Sequence, residues 1–311
     1  MKAVRIHQYG DASQLIYEDA PLPELNRDDV LVRVVAASIN PVDWKIRDGH
    51  LAEMIHYDFP LILGWDVSGV VESIGVDVTR FKVGDAVFSR PDVKRNGCYA
   101  EYVAVVEHEL ALKPKTISHT EAASLPLAGI TAWEALFNTA KLTSGQRILI
   151  HAGAGGVGSL AIQLAKNAGA IVYATTSGRN VSLVQSLGAN EVIDYERFAF
   201  NKELRNMDVV FDTLGGRVQD DSWEVLKPNG ILVSIYSKPS EEQAKKLGVR
   251  SAFIFIESNA AILNEMATLV DEGKLRPIVG AEFSLEHVKK AHELSESGHS
   301  VGKIVLHVGY P

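Results

Sequence analysis

One hexapeptide limits the folds open to this chain more than any other feature. Gly153-Ala154-Gly155-Gly156-Val157-Gly158 carries glycine at its first, third and sixth positions. It follows the apolar run Arg147-Ile148-Leu149-Ile150-His151 and precedes a helical pattern with Val157, Leu160, Ala161, Leu164, Ala165 and Ala168 on one face. Glycine lets a backbone approach a pyrophosphate closely, and the free N–H groups and positive end of the helix stabilise its charge. A ligand-free strand-to-helix turn is the plainer alternative. A further strand over 171–175, in register with this unit, weighs against it, so Gly153, Gly155, Gly156, Val157 and Gly158 are expected to bind a dinucleotide.

The rest of the chain extends this pattern. After 171–175 come a helix at 180–187, strands at 191–194 and 208–212, a helix near 217–226, and a strand at 231–235 behind a Pro228-Asn229-Gly230 turn. This βαβ alternation predicts a doubly wound parallel sheet of the Rossmann type, with 250–256 as a last strand. Residues 1 to about 115 have another texture. Short strands at 30–35, 67–74, 83–88 and 99–105, broken by Gly and Pro, predict a small, mostly β, barrel-like unit. The fold class is therefore α/β in two domains. The expected division is 1–120 for the mostly β domain, 121–270 for the Rossmann domain, and 271–311 returning to the first.

Composition excludes several functions. With 31 Lys+Arg against 39 Asp+Glu the formal charge is −8, which gives nucleic acid or anionic lipid no overall attraction. Cys98 is the only cysteine, so no internal disulfide or thiolate cluster can form, and a cytoplasmic setting is expected. No apolar run reaches the roughly 18 residues of a membrane span, and the first residues lack the apolar core of an export signal.

The charge of the cofactor is legible too. NAD-binding folds of this type usually place Asp or Glu about 20 residues past the glycines to hold the ribose 2′-hydroxyl. Residues 159–190 contain no acid; the second strand instead ends in Thr175-Thr176-Ser177-Gly178-Arg179-Asn180. Hydroxyls and a guanidinium suit a 2′-phosphate, so NADP(H) is expected over NAD(H), with Thr176, Ser177 and Arg179 as its contacts.

A set of further segments runs in order along the whole chain. It comprises Asn40-Pro41-Val42-Asp43-Trp44-Lys45-Ile46-Arg47-Asp48-Gly49, Gly64-Trp65-Asp66-Val67-Ser68-Gly69-Val70-Val71, Phe81-Lys82-Val83-Gly84-Asp85-Ala86-Val87, Leu125-Pro126-Leu127-Ala128-Gly129-Ile130-Thr131-Ala132-Trp133 and Gly298-His299-Ser300-Val301-Gly302-Lys303-Ile304-Val305-Leu306. With the glycine loop, these segments resemble the zinc-free quinone oxidoreductase or enone reductase branch of the medium-chain dehydrogenase/reductase superfamily. The resemblance implies a GroES-like domain joined to a Rossmann domain. Zinc-dependent relatives have a cysteine near Asn40 to Asp43, a Gly-His-Glu where this chain has Gly64-Trp65-Asp66, and a four-cysteine lobe for which only Cys98 is offered. No metal site is therefore expected.

Without a Lewis acid, a simple ketone is a poor hydride acceptor. A conjugated system is better, because hydride adds at carbon while charge spreads to an oxygen that hydrogen-bond donors can hold. The expected reaction is NADPH-dependent reduction of a quinone or an α,β-unsaturated carbonyl compound; an NADPH-binding sensor with little turnover is the alternative. By resemblance, Lys45 stands beside the nicotinamide ribose and the substrate oxygen, and Asn40 faces the nicotinamide. Asp43 and Asp66 are expected to be supporting groups, pairing with Lys45 or Arg47. Thr131, at a helix start, resembles the family's cofactor-contacting threonine. Leu214, Ser234 and Ile235 lie at strand ends where dinucleotides bind, and Lys303 matches a terminal motif that approaches the cofactor in relatives. A homodimer through the sheet edge at 250–256 is also expected.

Overall fold

The computed structural model describes residues 1–309. The chain divides into two compact units: Met1–Leu127 with Glu257–Gly273 and Pro277–Pro311, and Ala128–Ile256 with Lys274–Arg276. Helix Ala260–Asp271, assigned above to the Rossmann domain, is thus grouped with the first unit.

In the first unit, a seven-stranded sheet is organised around the eleven-residue strand Asp29–Ile39. This strand pairs antiparallel with Val67–Ile74, Tyr102–Val106 and the late strand Lys303–His307. The segment after Pro277 adds two strands to this sheet, Lys303–His307 pairing parallel with Val279–Ser284. It also contains helix Val288–Glu296, whose buried Val288 and Ala291 join the barrel core beside Trp65, Ile46 and Leu63. The expected strand at 83–88 begins only at Ala86, because Lys82 to Asp85 form a turn with Gly84 at φ +91°.

The second unit is a six-stranded parallel sheet. Its strands in chain order are Arg147–Ile150, Ile171–Thr176, Glu191–Asp194, Met207–Asp212, Leu226–Ser234 and Arg250–Phe253. In space they run third, second, first, fourth, fifth, sixth, and every pairing is parallel. The central strands are apolar without alternation: Ile148, Leu149, Ile150, Val210 and Phe211 have no exposed surface, as a sheet covered on both faces requires. Pro228-Asn229-Gly230 is not a turn ahead of a strand but lies within the strand. The register jumps from Met207↔Leu226 to Val209↔Ile231, and Asn229 at φ +64° absorbs the irregularity. The helix foreseen near 217–226 is shorter, Gly216–Ser222, since the chain re-enters the sheet at Leu226. The sixth strand stops at Phe253 rather than 256. Among the described residues no helix is long and apolar enough to cross a membrane.

Candidate active site

The strand order reverses between the first and fourth strands of the parallel sheet, which is where such folds open a crevice at the carboxyl ends of their strands. The glycine segment follows the first strand there. Its turn is anchored by the Gly153 N–H, which donates to the Thr175 carbonyl at 2.8 Å, and Ala152 takes the left-handed conformation at φ +50°. A Cβ on Gly158 would stand 2.2 Å from the Ala152 carbonyl oxygen, so only glycine lets helix Gly156–Asn167 start this close to the turn. Gly155, Gly156 and Val157 stay partly exposed, and no side chain caps the helix. Its first N–H groups, which no helix can satisfy internally, are therefore left without a side-chain cap.

The second strand ends in Thr176 and Ser177, both buried, followed by exposed Arg179. Two acids stand beside this turn that a search of residues 159–190 does not reach. Glu196 Oε2 accepts the Gly178 N–H at 3.1 Å, and a Cβ on Gly178 would lie 2.8 Å from Asp194 Oδ2. They come from the third strand, where Asp194 pairs with Thr176, so pairing the predicted strands would have revealed them.

Leu214, Ser234 and Ile235 are brought together by a residue not singled out from the sequence, the fully buried Asp212. Its Oδ1 accepts the Leu214 and Gly215 N–H groups at 3.0 and 2.9 Å, and its Oδ2 accepts the Ser234 hydroxyl at 2.8 Å. The Ile235 N–H donates to the Asp212 carbonyl at 3.1 Å. The Ser234 hydroxyl is thereby occupied, while Leu214 remains exposed. Thr131 is buried in the second turn of helix Pro126–Trp133, not at its start.

In the first unit, Asn40 precedes a proline and is extended (φ −129°, ψ 151°), and Pro41 opens helix Pro41–Arg47. Asp43 reaches back to take the Asn40 N–H at 2.8 Å. The Asn40 amide donates to Asp66 Oδ2 at 2.8 Å and accepts from the Lys303 ammonium. Lys303 also donates to the Ile39 carbonyl at 2.8 Å and to Asp66 at 3.2 Å, so all three of its N–H groups have protein partners. Ser38 and the Leu127 N–H complete the shell of Asp66. Gly302 at φ +60°, where a Cβ would meet the Ile278 carbonyl at 2.1 Å, delivers Lys303 to this place.

The expected pairing of Asp43 and Asp66 with Lys45 or Arg47 is corrected. Asp66 is held by Lys303, and Asp43 by the Tyr99 hydroxyl at 2.7 Å. Arg47 turns the other way, to Asp48 and Glu296. Burial raises the Asp43 carboxyl to about 7, against the opposing pull of Tyr99 and the Asn40 N–H. Behind Tyr99, His292 is nearly enclosed and burial lowers it to about 3, so it is neutral. Lys45 is half-buried near the end of the helix, its ammonium 5.7 Å from the Trp44 ring centroid, and burial lowers its proton affinity. Among the described residues no group of three His, Cys, Asp or Glu is placed to hold a metal ion. Cys98 is buried and its thiol pushed up by burial.

Two family models match the chain: the alcohol dehydrogenase GroES-like domain over residues 26–115 and the zinc-binding dehydrogenase over 187–306. The chain is 34% identical over 99% of its length, and 91% of the relative's, to the mitochondrial NAD(P)H oxidoreductase RTN4IP1 of Danio rerio. It is 37% identical over 99% of its length, and 79% of the relative's, to a chloroplastic NADPH-dependent alkenal/one oxidoreductase of Arabidopsis thaliana. The solved quinone oxidoreductase of Coxiella burnetii superposes with a TM-score of 0.94 at 39% identity over 99% of both chains. The two-domain fold, the glycine turn and these full-length likenesses place the chain in the quinone oxidoreductase and enone reductase branch of the medium-chain dehydrogenase/reductase superfamily.

Proposed function

We propose that the protein is an NADPH-dependent oxidoreductase that reduces quinones or α,β-unsaturated carbonyl compounds without zinc. What supports this is the closed set of Asn40, Asp66 and Lys303: an ammonium, with all its donors engaged, stands among residues that the resemblance matches to the metal-ligand segments of zinc-dependent relatives. Such a site offers hydrogen bonds and positive charge but no Lewis acid, which suits an acceptor activated by its own conjugation.

The reduced dinucleotide, when bound, supplies a hydride. The chain's residues have separate tasks toward it. The N–H groups of Gly156, Val157 and Gly158 take the pyrophosphate, and Thr176, Ser177 and Arg179 take the 2′-phosphate. Thr131 and the backbone at Leu214, Ser234 and Ile235 line the nucleotide. Lys303 fixes the Asn40 amide rather than touching the cofactor, and Lys45 stabilises charge on the acceptor oxygen. A reducing compartment suits the single thiol. The sixth strand has one open edge, and Phe253 and Phe255 are about half-exposed, which supports a homodimer through that edge.

The test is cofactor oxidation by the purified protein with a panel of quinones, enones and the matching saturated ketones, with and without a chelator. NADPH consumption with conjugated acceptors only, unaffected by chelation, is expected. Turnover of saturated ketones or loss of activity to the chelator would refute the proposal, and tight NADPH binding with no turnover would favour the sensor alternative.

A further inference from the structure

In the first unit Arg47 and Arg90 are buried and Arg95 is part-buried; Arg47 and Arg95 are neutralised. Arg47 has no exposed side-chain surface; its guanidinium donates to Glu296 at 2.7 Å, Asp48 at 2.6 Å and the Gly10 carbonyl at 3.0 Å. Arg95 forks onto Asp29 at 2.7 and 2.8 Å. Arg90, with 3% of its surface exposed, is treated otherwise. Its guanidinium makes one hydrogen bond, from Nη1 to the Ser258 hydroxyl at 3.4 Å, and its buried Nε has no partner. Among the described residues no carboxylate comes within ion-pair distance of it.

The acids whose fields reach Arg90 are Asp66, Asp92, Glu109 and Asp43. Each has its own donors: Asp66 holds Lys303, Asp43 holds Tyr99, Glu109 takes the Asp92 N–H at 3.2 Å and Asp92 takes the Lys94 N–H at 3.0 Å. Ser258 donates its proton to the carbonyl of Arg90 itself at 2.6 Å, so it steadies the residue without offsetting its charge. A buried cation with no carboxylate in ion-pair contact is costly, and a guanidinium does not escape the cost by losing its proton. Such groups are kept where negative charge arrives during function.

We propose that Arg90 is, together with Lys45, an oxyanion-binding residue of the acceptor site, donating N–H groups to the carbonyl oxygen of the enone or quinone. This rests on the acceptor reading above. The acceptor gains hydride at its β-carbon as the dinucleotide is oxidised; the C=C electron pair becomes the enolate double bond and the carbonyl π pair moves onto oxygen, beside Arg90. The enolate then takes a proton at its α-carbon from water, releasing hydroxide. With a quinone the anion formed by hydride addition gives up the ring hydrogen as a proton, and its two phenolate oxygens take protons from water.

The experiment uses the whole protein and 4-nitrophenolate, a phenolate probe that needs no cofactor. Arg90→Met is expected to weaken probe binding about ten- to a hundredfold, and Arg90→Lys to recover part of that loss. NADPH affinity should stay within about twofold, and the Met variant should melt about 2 °C or more above wild type, because a buried charge with no ion-pair partner is gone. Unchanged probe affinity, a parallel loss of NADPH affinity, or melting below wild type would each overturn the proposal, the last by making Arg90 a structural anchor. Arg90-dependent probe binding in a protein that oxidises no NADPH would refute the acceptor reading and leave only an anion-binding role for Arg90. Full kcat/KM in the Met variant would do the reverse.

Discussion

Around Asn40 the buried charges of the first unit close on one another: Lys303 on Asp66, Asp43 on Tyr99, Arg47 on Asp48 and Glu296. Around Gly155 the second unit does the opposite, leaving main-chain donors uncapped at the start of a helix. In the first unit, positions are fixed by side chains that satisfy each other, so each is sensitive to substitution of its partner. In the second, the backbone does the work, and what matters is that nothing larger than hydrogen projects from it. The difference separates groups that position from groups that bind.

The largest effect should come from breaking the backbone site. Gly158→Val drives a Cβ to within 2.2 Å of the Ala152 carbonyl. NADPH binding, followed by fluorescence titration, should be lost, whereas the first unit's packing is untouched. Next is the closed side-chain set. Lys303→Met leaves Asp66 without its cation and should cost about 3 kcal/mol or more in denaturant unfolding, because breaking a buried pair leaves an uncompensated charge. Retained stability would show that Ser38, Asn40 and the Leu127 N–H suffice for Asp66. A smaller effect is expected from Arg179→Ala: the NADPH-over-NADH preference in kcat/KM should fall about tenfold, one charge-assisted contact's worth. Because Glu196 and Asp194 flank the same turn, an unchanged preference would move the 2′-phosphate contact elsewhere.

The smallest is a pH dependence. The Asp43 carboxyl is raised in the folded protein to about 7 from an ordinary 3.8, so the folded state binds that proton more tightly than the unfolded state. Its favourable contribution is complete below about pH 4 and disappears as the pH rises through 7. Asp43→Asn, a neutral isostere, should therefore gain in melting temperature relative to wild type between pH 5 and pH 9. A constant difference would mean that Asp43 is ionised throughout.

The glycine turn and the parallel sheet were legible because their signals are local: an apolar strand, three spaced glycines, an amphipathic helix. The partners of Asp66 were not, since Lys303 lies 237 residues away and meets it only because strand Lys303–His307 pairs with Asp29–Ile39. The roles of Arg90 and the Asp212 side chain have no local signal for a related reason. Nothing in their neighbouring residues distinguishes a buried guanidinium with no ion-pair partner, or a carboxylate gathering two strand ends, from ordinary charge. Thr131 is not at a helix start because helix Pro126–Trp133 already begins at Pro126.

The central claim, that hydride goes to a conjugated carbon while the protein holds the charge on oxygen, is tested most directly by label position. Reducing an enone with NADPH carrying deuterium at the transferable position of the nicotinamide, and reading the product by NMR, should show deuterium on the β-carbon and a solvent-derived hydrogen on the α-carbon. Deuterium on the carbonyl carbon of an allylic alcohol would contradict the account.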